Sequence, residues 1–331
     1  MNKPYFTGPF APMCEVFVEQ KRACGLAYDQ QAMLLRMFDN FCKGYEIQNF
    51  TITKELAVAW CQKRPNEKDV SRRSRVGEMQ RFSVFLSKQG HPSYLLPALP
   101  KQGEMHTPYI FTKDELRRIF ERLDTLIPTN TSPNRHLTYP LLIRILYGCG
   151  LRISEALSLK KGDVDAENGV LHIRHGKNDR ERLVPMSESL TARCRQYLLA
   201  VHQSTPDELP FFYTKSQTGY SKSSISRAFK GFLWDVGIPY RGTNLGPRVH
   251  DLRHTFVCHN IQRWAEEGTA IYSRLPVLSK YLGHTSVSAT QWYLRLSAEV
   301  YPHIRQICEA ELGGMYAGIL NLEMQEVDSN E

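Results

Sequence analysis

The sequence predicts a mainly α protein with one small antiparallel β-sheet, and three observations carry that expectation. Apolar residues recur at helical spacing through roughly the first 95 residues and again after residue 112. One stretch, GVLHIRHGKNDRERLVPMS at 169–187, instead alternates around a polar turn, the pattern of a β-hairpin. Between the helical bodies lies GHPSYLLPALPKQGEMHTPYIF at 90–111, whose Pro and Gly content marks a connector. The expected division is a helical body over 1–97, a linker over 98–108, a larger body over 109–308 and an acidic tail over 309–331.

In the first body the periodicity places helices at 13–24, 29–43, 53–63 and 70–89. Asp29 is the expected N-cap of the second, whose apolar stripe reads Met33, Leu34, Met37, Phe38 and Phe41. The fourth opens at Ser71 and stops at Gly90. It carries Val76, Met79, Phe82, Phe85 and Leu86 on one side and Arg72, Arg73, Arg75 and Arg81 elsewhere. Such a helix packs on a core with its stripe and turns its arginines to phosphates or to water; both readings stay open.

In the second body, Thr112 with Glu115 three residues on forms a capping-box signature at the head of a new helix. A helix over 138–148 ends at GCGLR, and a short one over 153–159 follows. The hairpin comes next, with Lys177 in its turn. Ser221 opens a helix that closes on Gly237, and PRVHDLRHTFVCHNIQRWAEEG reads as a helix broken at Gly268. LPVLSKYLGH and SVSATQWYLRL complete the set.

At 331 residues the chain has length for two domains, and 42% apolar with 23% charged residues is an ordinary globular mixture. The longest apolar run, 140–151, is interrupted by Arg144 and is too short to span a bilayer. No early segment joins a basic start to an apolar run, so no signal peptide is expected. The eight cysteines form no CxxC pair and read as reduced thiols of a cytoplasmic protein. Residues 1–105 carry a net +5, residues 106–308 a net +9, and residues 309–331 six acids with no Lys or Arg. Two basic bodies point to a polyanion, nucleic acid being the commonest, or simply to a basic protein.

Chemistry concentrates in VHDLRHTF at 249–256, where His250, Arg253 and His254 fall within five positions. Two histidines four apart on a helix do not complete a zinc-protease pattern, because Asp251, Leu252 and Arg253 stand where a general-base Glu is needed. Arg253 would also set a fixed cation against a dication, so no metal is expected. An anion fits better: a guanidinium grips two phosphate oxygens at once. GCGLRIS offers a second arginine, Arg152, next to Gly148 and Gly150. His284 and, nine residues on, Tyr293 supply a base and a phenol, and Lys177 a candidate general acid. Each alone has a plain structural reading: a capping arginine, a core tyrosine, a solvated hairpin lysine.

Taken in order, GLRISEALSLKKGDVD, HGKNDRERLVPM, HDLRHTF and YLGHTSVSATQWY resemble the signature blocks of the tyrosine recombinases, the Xer and phage-integrase family, over roughly 108–300. The resemblance implies a helical SAM-like core-binding domain followed by a tyrosine-recombinase catalytic domain of α+β type. It implies that Arg152 and Arg253 hold the scissile phosphate and that Tyr293 attacks it to form a 3′-phosphotyrosyl link. By the same resemblance Lys177 protonates the leaving 5′-oxygen, His250 handles the tyrosine proton, His284 hydrogen-bonds the phosphate, and His254 supports them. Neither metal nor ATP is required. The implied partner is double-stranded DNA at a specific core site, gripped by the two bodies, with Arg227 and Lys230 either groove or phosphate contacts or simply solvated. The acidic tail, with its apolar MYAGILNLEM, is expected either to dock on a neighbouring protomer in a homotetramer on paired sites or to be a disordered tail; a monomer in solution is compatible with both. No membrane is involved, and a bacterial-type, nucleoid-associated location follows. Integration and excision of a mobile element, or Xer-like resolution, are the implied roles; a type IB-like topoisomerase and a non-catalytic DNA-binding relative are the alternatives. Two departures stand out. The segment from Arg253 to His284 is longer than in compact Xer proteins, and residues near 268–276 are expected to loop out. The chain also starts almost directly with the first helical body, which favours simple core sites.

Overall fold

The computed structural model describes residues 5–96, 107–174, 181–239, 246–283, 292–297, 301, 303–304 and 306–307. The chain forms two compact units, Met1–Met105 and His106–Glu331. Lys177, His284, residues 98–106 of the expected linker and the tail over 309–331 lie outside the described residues. No helix among the described residues is long and apolar enough to cross a membrane.

The first unit holds α1 (Ala11–Ala23), α2 (Asp29–Phe41), α3 (Lys54–Cys61) and α4 (Asp69–Lys88). Its core is aromatic: Phe10 packs on Phe38 with ring centroids 5.7 Å apart, and Phe38 on Trp60 at 5.2 Å. The buried Asp39 carboxylate accepts the backbone N–H groups of Thr7, Gly8 and Phe10, which pins the N-terminal segment to α2. That contact resets α2. Ala32, Leu35, Phe38 and Asp39 face inward, whereas Met33 and Met37 of the expected stripe are exposed.

Two helix starts also differ from expectation. Asp29 is the first residue of α2, not its cap; Tyr28 precedes it in the left-handed region at φ 57°, and the acid sits in the first turn, where the helix dipole favours it. Ser71 lies inside α4, which begins at Asp69 without a side-chain cap.

Arg75 corrects the reading of α4 as an arginine-studded phosphate face. It is 2% exposed, donates at 2.8 and 2.7 Å to Glu67 and at 3.1 Å to the Gln62 carbonyl, and bonds the Trp60 carbonyl. Its charge is spent on the two-pronged pair with Glu67, and its Nε, Nη1 and Nη2 are all bonded within the unit, so it braces α3 against α4 and is not a phosphate contact. Arg72 is half-buried and donates to the Cys61 carbonyl at 2.9 Å; Arg73 is half-buried as well.

The second unit contains α5 (Lys113–Asp124), α6 (Arg135–Gly148), α7 (Ile153–Ser158), β1 (Val164–Asp165), β2 (Val170–Ile173), β3 (Arg182–Pro185), α8 (Glu188–Val201), α9 (Lys222–Asp235), α10 (Asp251–Glu266) and α11 (Ile271–Leu282). Residues 292–297 are helical. The strands form one antiparallel sheet in the order β1-β2-β3, with Ile173 opposite Arg182 at the mouth of the hairpin. The capping box at Thr112 is present in full, and Ser221 caps α9 by accepting the Ser224 N–H. Helix α8, capped by Ser187, and strand β1 have no counterpart among the elements expected from the sequence. Residues 271–276 belong to α11, so the expected 268–276 loop shrinks to the few residues around Gly268, which adopts φ +63°.

Candidate active site

Arg152 occupies the N-cap position of α7, delivered by the turn after α6. That turn depends on Gly150, whose φ of +58° falls in the left-handed region; an added Cβ would stand 2.5 Å from Phe256 Cδ1. The Gly150 carbonyl accepts Arg253 Nη1 at 2.8 Å. A tight turn in one segment thus receives a guanidinium from another 103 residues away.

Arg253 projects from the first turn of α10 and is 2% exposed. Its Nη2 donates to the Leu282 carbonyl at 2.9 Å, at the last residue of α11. Gly283 then ends that helix at φ +68°, the left-handed C-terminal residue that glycine adopts at least cost.

Glu155, 3% exposed, organises the cations. Its carboxylate takes the Arg152 backbone N–H at 2.9 Å and Arg152 Nη1 at 2.7 Å. It takes a two-pronged pair from Arg182 at 3.1 and 2.9 Å, and Arg253 Nη1 lies 3.9 Å away. Burial alone would raise this carboxyl; the Arg182 pair and then Arg152 reverse the sign and hold it below its ordinary value. Arg182 was not foreseen. It lies on β3, where it shares the inward side with buried Val184 while Leu183 points outward, 65% exposed. An arginine on the inward side of a strand needs a carboxylate, and Glu155 is that partner.

Tyr293 is 4% exposed and its phenol hydrogen-bonds the Arg253 side chain. Burial raises this phenol, and the Arg253 charge and hydrogen bond pull it back down. Burial lowers Arg253 to about 10, assisted by the neighbouring charge of Arg152, so it stays a cation at neutral pH. His250 opens at the protein surface just before α10, yet crowding by protein atoms, then the charges of Arg253, Arg152 and Arg248, push it down to about 4. The imidazole is therefore neutral at pH 7. His254 stands between: its ring lies 4.8 Å from that of His250 and 5.5 Å from that of Tyr293. Asp251, buried beneath them, accepts the Arg248 N–H at 2.8 Å, and its carboxyl is raised to about 6 by burial.

The structure thus brings Arg152 and Arg253 together at the Glu155 carboxylate, with Tyr293 bonded to Arg253 and the His254 ring between those of His250 and Tyr293. Lys177, between the described Arg174 and Glu181, and His284, which directly follows the described Gly283, stand outside the described residues. Arg227 and Lys230 are exposed on α9, on the same side of the helix three residues apart. Among the described residues no cluster of three or more His, Cys, Asp and Glu side chains is placed to hold a metal ion.

A two-cation anion site beside a phenol, held by a buried carboxylate, is equipped to bind a phosphodiester and attack it. Comparison with known proteins bears on that chemistry. Residues 110–299 match the model of the phage integrase family. A Sinorhizobium fredii protein, y4rB, described as an integrase/recombinase, is 33% identical over 301 residues, covering 88% of this chain and 94% of its own. The tyrosine recombinase XerA of Pyrococcus furiosus is 28% identical over 215 residues, 64% of each chain. In fold, the chain is similar to a lambda integrase solved as a dimer bound to a core site, with a TM-score of 0.59 at 14% identity over 85% of this chain and 94% of that one.

Proposed function

Because the chain belongs to the phage integrase family and is a tyrosine recombinase, an enzyme of site-specific recombination, we propose that it works through a covalent DNA–Tyr293 intermediate. Arg152 and Arg253 take the non-bridging oxygens of the scissile phosphate. The Tyr293 oxygen adds to phosphorus as its proton leaves toward His250, with His254 bracing both rings. The bond to the 5′-oxygen breaks, Lys177 gives that oxygen a proton, and a 3′-phosphotyrosyl link remains. His284 hydrogen-bonds the phosphate. Attack by a 5′-hydroxyl from another strand reverses the steps and restores a phosphodiester, so the sequence of bonds needs no nucleotide and no metal.

The observation that supports this reading most directly is the hydrogen bond between Tyr293 and Arg253, reinforced by the Glu155 bridge to Arg152. It joins nucleophile and phosphate clamp from segments 40 to 140 residues apart in the chain.

The partner is double-stranded DNA at a specific core site, bound through phosphate contacts with Arg227 and Lys230 of α9 among them. Four protomers assemble on paired sites. The acidic tail with MYAGILNLEM docks on a neighbour, in the cleft of about 540 Å³ lined by Phe256, Arg263, Trp264, Arg274, Val277 and Leu278. Its apolar walls and two arginines match an acidic, apolar segment. The biological role is integration and excision of a mobile element or Xer-like resolution.

A DNA duplex nicked near the cleavage position tests the reading, since loss of the short strand traps the covalent complex. Wild-type protein is expected to become linked to DNA and Tyr293→Phe is not. Equal trapping by both proteins overturns the assignment of Tyr293, and efficient relaxation of unrelated supercoiled plasmid would favour a topoisomerase instead.

A further inference from the structure

We propose that Arg182 is a positioning residue for the phosphate clamp: through Glu155 and the end of α11 it holds Arg152 and Arg253 in the spacing that a charged phosphodiester requires. The proposal rests on the reading above and adds a residue outside the six to which that reading gives chemical roles.

Arg182 spends its guanidinium on two partners that no other described side chain joins. Its Nη1 and Nη2 bind both oxygens of Glu155, and its Nε donates at 2.9 Å to the carbonyl of Tyr281. The next carbonyl along α11, that of Leu282, is the one Arg253 takes. Two guanidiniums therefore grip consecutive carbonyls at the C-terminal end of α11, where the last carbonyls have no partners within the helix and the dipole is negative. The same two guanidiniums meet at Glu155, which also fixes the backbone and side chain of Arg152. The result is a closed circuit: α7 through Glu155, β3 through Arg182, α11 through its carbonyls, and α10 through Arg253.

The fit is close. A Cβ on Gly283 would come within 2.9 Å of Arg182 Nη1, so this glycine admits the guanidinium as well as ending the helix. The side chain of Arg182 is 11% exposed and that of Glu155 is 1% exposed, so water does not substitute for the contact. Without Arg182, a buried carboxylate that served three cations turns to Arg152 and Arg253 alone. Arg152, at 21% side-chain exposure the most open of the three, is free to swing toward it and away from the phosphate.

Such a role has a chemical signature that a loss of packing lacks. A methylphosphonate in place of the scissile phosphate removes the negative charge that the clamp exists to hold, so its cleavage depends little on how the two arginines are spaced. Covalent trapping is measured with nicked duplexes of both kinds, using the full chain, for wild type, Arg182→Met and Arg182→Lys, alongside melting curves and DNA affinity. Arg182→Met is expected to lose at least tenfold in rate on the phosphodiester and no more than threefold on the methylphosphonate. Arg182→Lys, which supplies the charge but not the fork, is expected to fall between. Equal losses on the two substrates overturn the proposal. If Arg182→Met does not fold, the comparison is made with Arg182→Lys alone, and equal losses there overturn it in the same way. Wild-type protein that traps neither substrate instead overturns the covalent reading on which the role depends.

Discussion

The phenol of Tyr293 hydrogen-bonds the guanidinium of Arg253 inside a site where both side chains are almost fully buried. Burial drives the phenol toward its neutral form, and the cation opposes it. The first prediction follows from that opposition. Arg253→Met should move the ascending limb of the single-turnover cleavage profile to higher pH and lower the rate at pH 7 by roughly 10²–10³-fold, the usual cost of losing one oxyanion donor. Arg253→Lys keeps a cation and should return the limb toward its original position while the rate stays low. A limb that does not move in Arg253→Met argues that the cation does not tune the nucleophile.

His250 and Asp251 are neighbours with opposite displacements, and folding stability should report both. The folded imidazole titrates at about 4, below its unfolded value of about 6.5, so the unfolded chain binds more protons between those limits and stability falls as pH drops through them. The folded carboxyl titrates at about 6, above its unfolded value of about 3.9, so the folded chain binds more protons and stability rises as pH drops over that window. Between pH 6.5 and 4.5, His250→Gln should lose less stability than wild type and Asp251→Asn should lose more. Urea midpoints at the two pH values measure this, and shifts of the same sign in both variants would contradict it.

Gly150 bears two constraints at once, a left-handed φ and a close approach to Phe256. Gly150→Ala should cost about 1–3 kcal/mol from backbone strain, with a further contribution from the contact. The contact alone is removable. A double-mutant cycle with Phe256→Ala should give a coupling above about 0.5 kcal/mol, readable from denaturant unfolding. Strict additivity would mean that the backbone angle is the whole effect.

Arg75 and the α9 pair should separate stability from DNA binding. Arg75→Ala removes the buried guanidinium from Glu67 and leaves the Trp60 and Gln62 carbonyls without it, and should destabilise the first unit by about 1–3 kcal/mol. The salt dependence of DNA affinity should not change. Arg227→Ala and Lys230→Ala should leave melting unchanged and each reduce the slope of log affinity against log salt by about 1. An Arg75 variant that lowers the salt slope while melting normally would restore it as a phosphate contact.

The sequence revealed the helices where a cap and a stripe agreed, as at Thr112 with Glu115 and at Ser221. It misled where one long-range contact decided the matter. Asp39 turned α2 by binding three N–H groups of a segment about thirty residues earlier, and no periodicity in α2 announces that. Arg75 looked like any other arginine of its helix because its burial depends on Glu67 and on the α3 carbonyls above it. In the site, residue types and order pointed to Arg152, His250, Arg253 and Tyr293, because that chemistry demands unusual side chains. Arg182 and the hub role of Glu155 stayed hidden. Both are ordinary residues in ordinary elements, made consequential only by three-dimensional closure.

Glu155 also sets the electrical stoichiometry of the site. Three guanidiniums surround one carboxylate, which leaves two positive charges unmatched. On the covalent reading proposed above, a resting phosphodiester brings one negative charge and offsets half of that excess. The positive charge left over faces the phosphorus as a second negative charge develops on its oxygens while the Tyr293 proton moves to His250, so the guanidinium cluster matches the charge of the transition state better than that of the substrate alone.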